Sequence, residues 1–423
     1  MYFYYIWNKS NLLMKQMYIF SLFLLVFLSI HRGYAQGFQV NFQGQKQQGM
    51  GCAGTALFQD GASIFYNPGS VAFSNENSIN IASTPIFSNV LYVDSATQQG
   101  YRTKNPVGTP FSAYGIFQAH KHNKLKFGIA AYTPFGSTVQ WEENWIGRFA
   151  LTRLELKAIY IQPTLSYRIA DVIGIGAGFI ISTGNVNLQK DVPVQDSLGN
   201  YGHAELAGKA LGFGFNAGIH YDLNKKLSVG ITYRSQINMK VKNGVATFTV
   251  PASLNTNFPD GAFTGALPLP NVTTLGWAYK ATKKWQFVLD INYVGWKVYD
   301  TLAFDYEQNT TSLLDTKSAR NYKSIYAFRG GAMYKANGKL DLRFGSGFGF
   351  SPVPDASVTP ETPDANRFYF TGGLSYRFSE KFSMDASIYY TQLKRTAQNA
   401  ETNLYGTFKT KAIAPGFSLI YKW

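Results

Sequence analysis

Residues 413–423, IAPGFSLIYKW, set Ile413, Pro415, Phe417, Leu419, Tyr421 and Trp423 on one face and Ala414, Gly416, Ser418, Ile420 and Lys422 on the other. A period of two between an apolar face and a small or polar face is the pattern of a β-strand. About ten residues of strand, tilted as in a barrel wall, cross a bilayer. Working back along the chain, Ile159, Ile161, Pro163, Leu165, Tyr167 and Ile169 oppose Tyr160, Gln162, Thr164, Ser166 and Arg168. Trp285, Phe287, Leu289, Ile291 and Tyr293 oppose Gln286, Asp290 and Asn292 in the same way.

The connections between such stretches are of two kinds. Six are short and polar, at 120–124, 170–171, 224–226, 282–284, 336–339 and 379–381. Between them lie longer connections at 93–109, 141–152, 191–207, 243–266, 300–320, 352–364 and 397–408. Short and long alternate, which makes fourteen strands with both chain ends on the short-turn side. Tight turns at one rim and long loops at the other are the asymmetry of an outer-membrane barrel. A soluble β-sandwich or propeller shares the raw alternation, but not the unequal turns or the aromatic strand ends Tyr167, Tyr221, Tyr279, Trp285, Tyr376 and Tyr421. The expected fold is therefore all-β: a membrane-spanning antiparallel barrel of about fourteen strands.

Composition agrees. Aromatic residues are 16% and charged residues 15% of the 423, with 40 glycines, and the mean hydropathy of −0.13 excludes a bundle of transmembrane helices. Alternating strands with one face to lipid and one to water give this mixture. The apolar run at 17–30, MYIFSLFLLVFLSI, follows Lys15 and precedes Gly33, Tyr34 and Ala35. It is read as a secretory signal covering 1–35, with cleavage near Ala35 and Gln36 and with 1–13 as an upstream extension if translation starts at Met14 or Met17. Net charge is +15, and +12 once Lys9, Lys15 and Arg32 are gone. Cations spread singly over turns and loops suit lipid phosphates or an anionic substrate, not a nucleic acid. The single cysteine, Cys52, excludes an intramolecular disulfide and is expected to be a small packed residue.

Between the signal and the first strand, 36–76 has no sustained period and is punctuated by Gly44, Gly49, Gly51, Gly54, Gly61 and Gly69. A segment this free of regular structure needs walls to hold it, and the barrel of 77–423 supplies them. It is expected to fold back into the lumen as a plug.

Catalytic constellations are missing. No nucleophile elbow, zinc-protease helix or phosphate loop occurs. The strings GIGAGF at 174–179 and GSGFGF at 345–350 lie within strands and open no helix. His120 and His122 share a turn, where solvation competes with a weak metal site. His220 stands at strand height with no evident acidic partner. No enzyme activity, metal or cofactor is expected. The stretch 243–270 is apolar for a loop: Val250, Leu254, Phe258, Phe263 and Leu267 form either a landing site for hydrophobic molecules or a cover packed on its neighbours.

With these residues in hand, the chain resembles the FadL-type outer-membrane transporters of long-chain fatty acids and their hydrocarbon-transporting relatives, over essentially the whole mature chain. Gly37, Phe38, Gln39, Val40 and Asn41 resemble the family's mature start. Asn67, Pro68 and Gly69 resemble its plug motif Asn-Pro-Ala, with Gly in place of Ala. The strings YTPFG at 132–136, NWIGRF at 144–149, LPLP at 267–270, GW at 295–296, SPVPD at 351–355 and TPDANR at 362–367 follow in the family's order.

The resemblance implies passive uptake. A hydrophobic molecule, most simply a long-chain fatty acid, is caught outside, held in the lumen, and released sideways when the plug moves and where the third strand kinks. Phe38, Asn67, Pro68 and Gly69 would form the plug and gate. Pro134 and Gly136 would make the kink, or a bulge without transport meaning. Lys190 and Lys323 match positions where the family carries cations and would hold the carboxylate, unless both are loop-edge residues facing lipid phosphates. Phe258 and Phe263 would belong to the capture surface. An aromatic or aliphatic hydrocarbon transporter, or a non-transporting outer-membrane binding protein or adhesin, are the alternatives. Implied partners are the hydrophobic cargo, outer-membrane lipids including lipopolysaccharide, and the barrel-assembly machinery, with the chain a monomer.

Overall fold

The structure is a computed structural model that describes residues 37–118 and 124–423. The expected signal, Gln36, and His120 with His122 lie outside the described residues. Twenty hydrogen-bonded strand segments form one sheet that closes on itself, with Lys422 opposite Ser78 and Phe417 opposite Ser83. Six staves are interrupted once, so the twenty segments make fourteen staves. In chain order they are β1 (Ser78–Ser83 and Phe87–Asp94), β2 (Gly100–Arg102 and Phe111–Phe117), β3 (Leu125–Gln140), β4 (Arg153–Ala170) and β5 (Ile173–Gln195). Next come β6 (Tyr201–Asp222), β7 (Leu227–Arg234 and Ile237–Thr249), β8 (Gly261–Leu269 and Val272–Lys280) and β9 (Trp285–Val294 and Thr301–Tyr306). The wall is completed by β10 (Thr316–Ala319 and Ile325–Lys335), β11 (Leu340–Gly349), β12 (Arg367–Arg377), β13 (Phe382–Gln398) and β14 (Tyr405–Lys422).

The alternation has the sense that lipid requires. On β14, Phe417 and Leu419 are 56% and 52% exposed, while Ser418 and Ile420 between them are 2% and 1%. Inward positions elsewhere carry polar groups, among them Gln162, Asn216, Asp290, Arg329 and Asp385, all buried. A polar interior under an apolar surface is the reverse of a soluble sandwich, because here the outer solvent is hydrocarbon. Tyr167, Tyr221, Tyr279, Tyr376 and Tyr421 are exposed next to the short turns, at the height of an interfacial aromatic belt.

Two of the expected long loops are largely strand. In place of a loop at 191–207, β5 runs to Gln195 and β6 starts at Tyr201, joined by 196–200. Likewise β7 and β8 absorb most of 243–266, leaving 250–260. Beyond the bilayer the outer face of a stave meets water and turns polar, so the apolar/polar contrast fades while the hydrogen-bond ladder continues. Lys190 is consequently inside β5, opposite Ala204 of β6, and does not end the strand.

The lumen holds 37–77. Two short helices, α1 (Gln45–Gly49) and α2 (Ser63–Tyr66), and a 3₁₀ turn (Pro68–Phe73) are its only helical pieces. Wall side chains hydrogen-bond its backbone at many points. Asp290 Oδ2 accepts from Gly54 N at 2.9 Å, Thr55 N at 3.1 Å and Thr55 Oγ1 at 2.8 Å. Arg234 donates to Phe65 O at 2.7 Å, and Gln162 and Asn216 both donate to Ile64 O at 3.2 Å.

Candidate functional site: a passage through the wall at the third stave

Pro134 has no amide hydrogen to give the ladder, and Gly136 offers no side chain to pack, so β3 is locally easy to bend. The bend is present: the register with β4 slips between Tyr132, opposite Tyr160, and Phe135, opposite Ala158. On its other edge β3 pairs with β2 only up to Tyr132, opposite Ser112. The two staves meet again at Trp141, bridged to Thr103, with Lys104 N donating to Gln140 O at 2.7 Å.

Between these points the N-terminal arm substitutes for the missing strand. Gln39 bridges Phe135, Val40 N donates to Pro134 O at 2.8 Å, and Gly136 N donates to Phe38 O at 3.2 Å. The arm is tied elsewhere by Gly37 N to Asp364 Oδ2 at 3.3 Å, and Ser351 Oγ reaches the same oxygen at 2.9 Å. Burial pushes the Asp364 carboxyl above the ordinary aspartate range, against the pull of the Arg367 guanidinium. Phe38 is buried within an aromatic group, 6.3 Å from Trp296 and 6.1 Å from Tyr299 between ring centres.

A cavity of about 460 Å³ occupies this junction. Its inner lining includes Phe38, Phe42, Phe135, Tyr369, Tyr389, Asp364 and Arg367. It is also lined by 105–110 of the interrupted second stave and by Arg153, Glu155 and Lys157 of β4. Those three alternate with inward Leu154 and Ala158, which are buried, so they stand on the outer face of the wall. One cavity therefore touches both faces of the sheet. On β4 the outward apolar residues run from Ile169 to Ile159, about 25 Å at the usual strand rise and tilt. Lys157 is the next outward residue, which puts the opening at the external edge of the apolar band.

Each cation of the lining faces a carboxylate. Glu155 lies 3.3 Å from Arg153 and 2.5 Å from Lys157, Arg367 faces Asp364, and Glu361, also in the lining, pairs with Arg320 at 2.8 Å. Neither Lys190 nor Lys323 lines it. Lys323 is exposed because its neighbour Tyr322 takes the inward position, buried with its hydroxyl 3.2 Å from Thr362 Oγ1. Sequence reasoning missed Arg153, Glu155 and Lys157, although their i, i+2, i+4 spacing on one face was visible; what was not visible is that this face borders a gap.

The apolar stretch above β7 and β8 is a small core of its own. Phe263 is 1% exposed and packs on Phe304 at 5.6 Å, in a cluster with Leu206, Val241, Tyr306 and Leu313 that Phe258 and Phe248 join. These rings hold the strand extensions together. His220 does have an acidic partner, Asp222 at 3.1 Å, but Ser228 bonds the same carboxylate, so the aspartate stands between serine and histidine and no activated nucleophile results.

The plug motif is held from several sides. Asn67 Nδ2 donates to Thr55 O at 2.8 Å and Ile219 O at 3.0 Å, its Oδ1 accepts from Gly69 N at 2.9 Å, and Ser166 Oγ donates to Pro68 O at 2.7 Å. A Cβ on Gly69 would lie 2.6 Å from Gly218 O and 2.8 Å from Gly174 O. Glycine is required here by the wall, and Gly174 and Gly176 of the string GIGAGF are the wall's side of that contact: a Cβ on Gly176 would meet Pro68 O at 2.4 Å.

Among known proteins, the long-chain fatty acid transport protein of Salmonella typhi is 22% identical over 394 residues, covering 85% of this chain and 88% of the relative. The crystal structure of a Pseudomonas aeruginosa FadL homologue superposes with a TM-score of 0.77 at 18% identity, covering 91% of this chain and 99% of that one. That of the Pseudomonas putida toluene transporter TodX gives 0.73 at 15% identity, covering 92% and 99%. The family model for outer membrane protein transport proteins (OMPP1/FadL/TodX) matches residues 27–422, and the chain belongs to that family of outer-membrane β-barrel channels.

Proposed function

We propose that the protein passes small, uncharged hydrophobic molecules from the external surface into the lumen cavity and out sideways through the gap beside β3. The cavity that reaches both faces of the wall carries this reading. The fold serves both a long-chain fatty acid transport protein and a toluene transporter, and the pairing of the cavity's cations favours the second kind of cargo. Arg153 and Lys157 share Glu155, and Arg367 faces Asp364, so each cation of the lining already has a carboxylate beside it. Apolar and aromatic walls then supply the affinity, and the family's passive mechanism needs no energy source. The mature chain would start near Gln36, with 36–76 as the plug and 77–423 as the wall. Phe38 would act as the moving gate, and Asn67, Pro68 and Gly69 as its fixed base.

The test is to close the passage and keep the barrel. A Cβ on Gly108 meets Ile86 only at 3.5 Å, an ordinary contact, so Gly108→Trp places a large ring at the gap without forcing the backbone. Uptake of labelled toluene by vesicles holding the variant should fall to that of empty vesicles, with the heat-modifiable migration of a folded barrel retained. Unchanged uptake would sink the lateral route.

A second reading, long-chain fatty acids, has one specific observation for it: Arg367 Nε, in the cavity lining, has no hydrogen-bond partner. Equilibrium binding of laurate against toluene separates the two. Tighter binding of laurate that Arg367→Gln abolishes would favour the fatty acid.

A further inference from the structure

Outward residues of β14 run from Trp423 through Tyr421, Leu419, Phe417 and Pro415 to Ile413, and the next two are Lys411 and Lys409. Ten residues of tilted strand span about 25 Å, the height of an apolar band, so both lysines stand just beyond its external edge. Lys409 is directly opposite Lys394 of β13, and all three side chains are exposed on the same face. Directly opposed residues have their Cβ atoms about 4.5–5.5 Å apart, and like charges in that position repel.

No carboxylate answers them. Lys411 is opposite Gln392 and Asn89, and Lys409 is opposite Leu91. Among the described residues none of the three lysines makes an ion pair, while the nearby Asp355 is taken by Arg395 at 2.7 Å. On the far side of Leu91 the row continues to Arg102, whose backbone N–H is bonded to the Glu142 carboxylate at 2.9 Å.

We propose that Lys394, Lys409 and Lys411 form a binding site for the phosphate of a phosphorylated outer-leaflet lipid, whose acyl chains lie on the apolar surface of β13 and β14 below. Two features select a lipid over a soluble anion. The site faces the membrane and not the lumen, and the surface beneath it is continuous and apolar: Tyr390, Ile413, Phe417 and Leu419 are all exposed. An anion held between opposed ammonium groups turns their repulsion into attraction, and charge-assisted bonds to phosphate are the strong class of hydrogen bond.

The test uses the full-length barrel in phosphatidylcholine nanodiscs, titrated with diphosphoryl lipid A or its dephosphorylated form, with native mass spectrometry counting bound lipid. Wild type should retain the diphosphoryl form, and Lys394→Gln/Lys409→Gln/Lys411→Gln should weaken that binding by at least about tenfold, the scale of losing a charge-assisted contact. A matched set on the short-turn rim, Lys225→Gln/Lys226→Gln/Lys284→Gln, should leave it unchanged. Equal binding of the two lipid forms, an unaffected triple variant, an equal loss in the matched set, or displacement by millimolar inorganic phosphate would each overturn the proposal. The single variant Lys409→Gln adds a check that does not depend on the triple variant folding. Removing one of two opposed cations should raise the melting temperature without lipid A and lower the gain on adding it. A melting temperature that falls in both conditions would also overturn the proposal.

Discussion

The two ends of the plug are held in different ways. The block from Gly54 to Phe73 is bonded to the wall from several sides, by Asp290, Arg234, Gln162, Asn216 and Ser166, and it fits so closely at Gly69 that not even a methyl group has room. The arm at 37–40 lies along one edge of β3 through a few backbone bonds, with one tie from Gly37 N to Asp364, and borders the cavity. Bonds that can be exchanged with water or cargo one at a time open locally at low cost, whereas an interlocked polar block opens as a unit. The difference separates the part of the plug suited to moving from the part suited to staying.

Breaking the block should have the largest effect. Asp290→Ala strips partners from Gly54 N, Thr55 N and Thr55 Oγ1, and each orphaned buried donor costs about 1–3 kcal/mol unless water replaces it. Cys52 reports the result. It is the only cysteine, 1% exposed, and burial raises its thiol to about 11, so at neutral pH it is both hidden and protonated. Its labelling by maleimide should be slow in wild type and faster by more than about tenfold in Asp290→Ala, as follows from a loss above about 1.4 kcal/mol. Labelling at the wild-type rate would show that the block does not depend on this carboxylate.

Next in size is Gly69→Val. Its Cβ would press on two backbone carbonyls, which cannot rotate away, and overpacking of this kind costs about 1–3 kcal/mol. Faster Cys52 labelling and leakage of small polar solutes through the barrel are expected, and a tight barrel would contradict the fit described for Gly69.

Phe38→Ala sharpens the comparison from the other side. Its ring borders a cavity, so the loss should fall below the ~3–5 kcal/mol of a phenylalanine in a packed core. Cys52 lines the same cavity, beside Phe42 just past the arm, so its labelling should rise by less than in Asp290→Ala while toluene binding changes. Equal rises in labelling for Phe38→Ala and Asp290→Ala would mean that the plug moves as one body.

The smallest expected effect is that of Lys190→Ala/Lys323→Ala. Neither residue lines the cavity, so binding of either laurate or toluene should stay within about twofold of wild type, less than one ordinary hydrogen bond contributes. A large loss would restore the carboxylate clamp implied by family resemblance.

The sequence by itself determined the wall. Outward Phe417, Leu419 and Tyr421, the six short turns and the aromatic strand ends are local patterns, set by a period of two and by the dielectric on each side, so they can be read residue by residue. Strand length beyond the membrane escaped that reading, because water on the outer face removes the apolar signal while the backbone ladder persists from Lys190 to Gln195. Only the tertiary structure decided the cavity beside β3. It depends on three segments far apart in the chain, 37–40, 105–110 and 133–139, and on β2 leaving β3 where the arm takes its place. Which cations border the cavity was decided there too: Arg153 and Lys157 line it, and Lys323 turns outward because Tyr322 turns in. A cavity is a property of how surfaces meet, and no periodicity within one strand encodes the strand that is missing beside it.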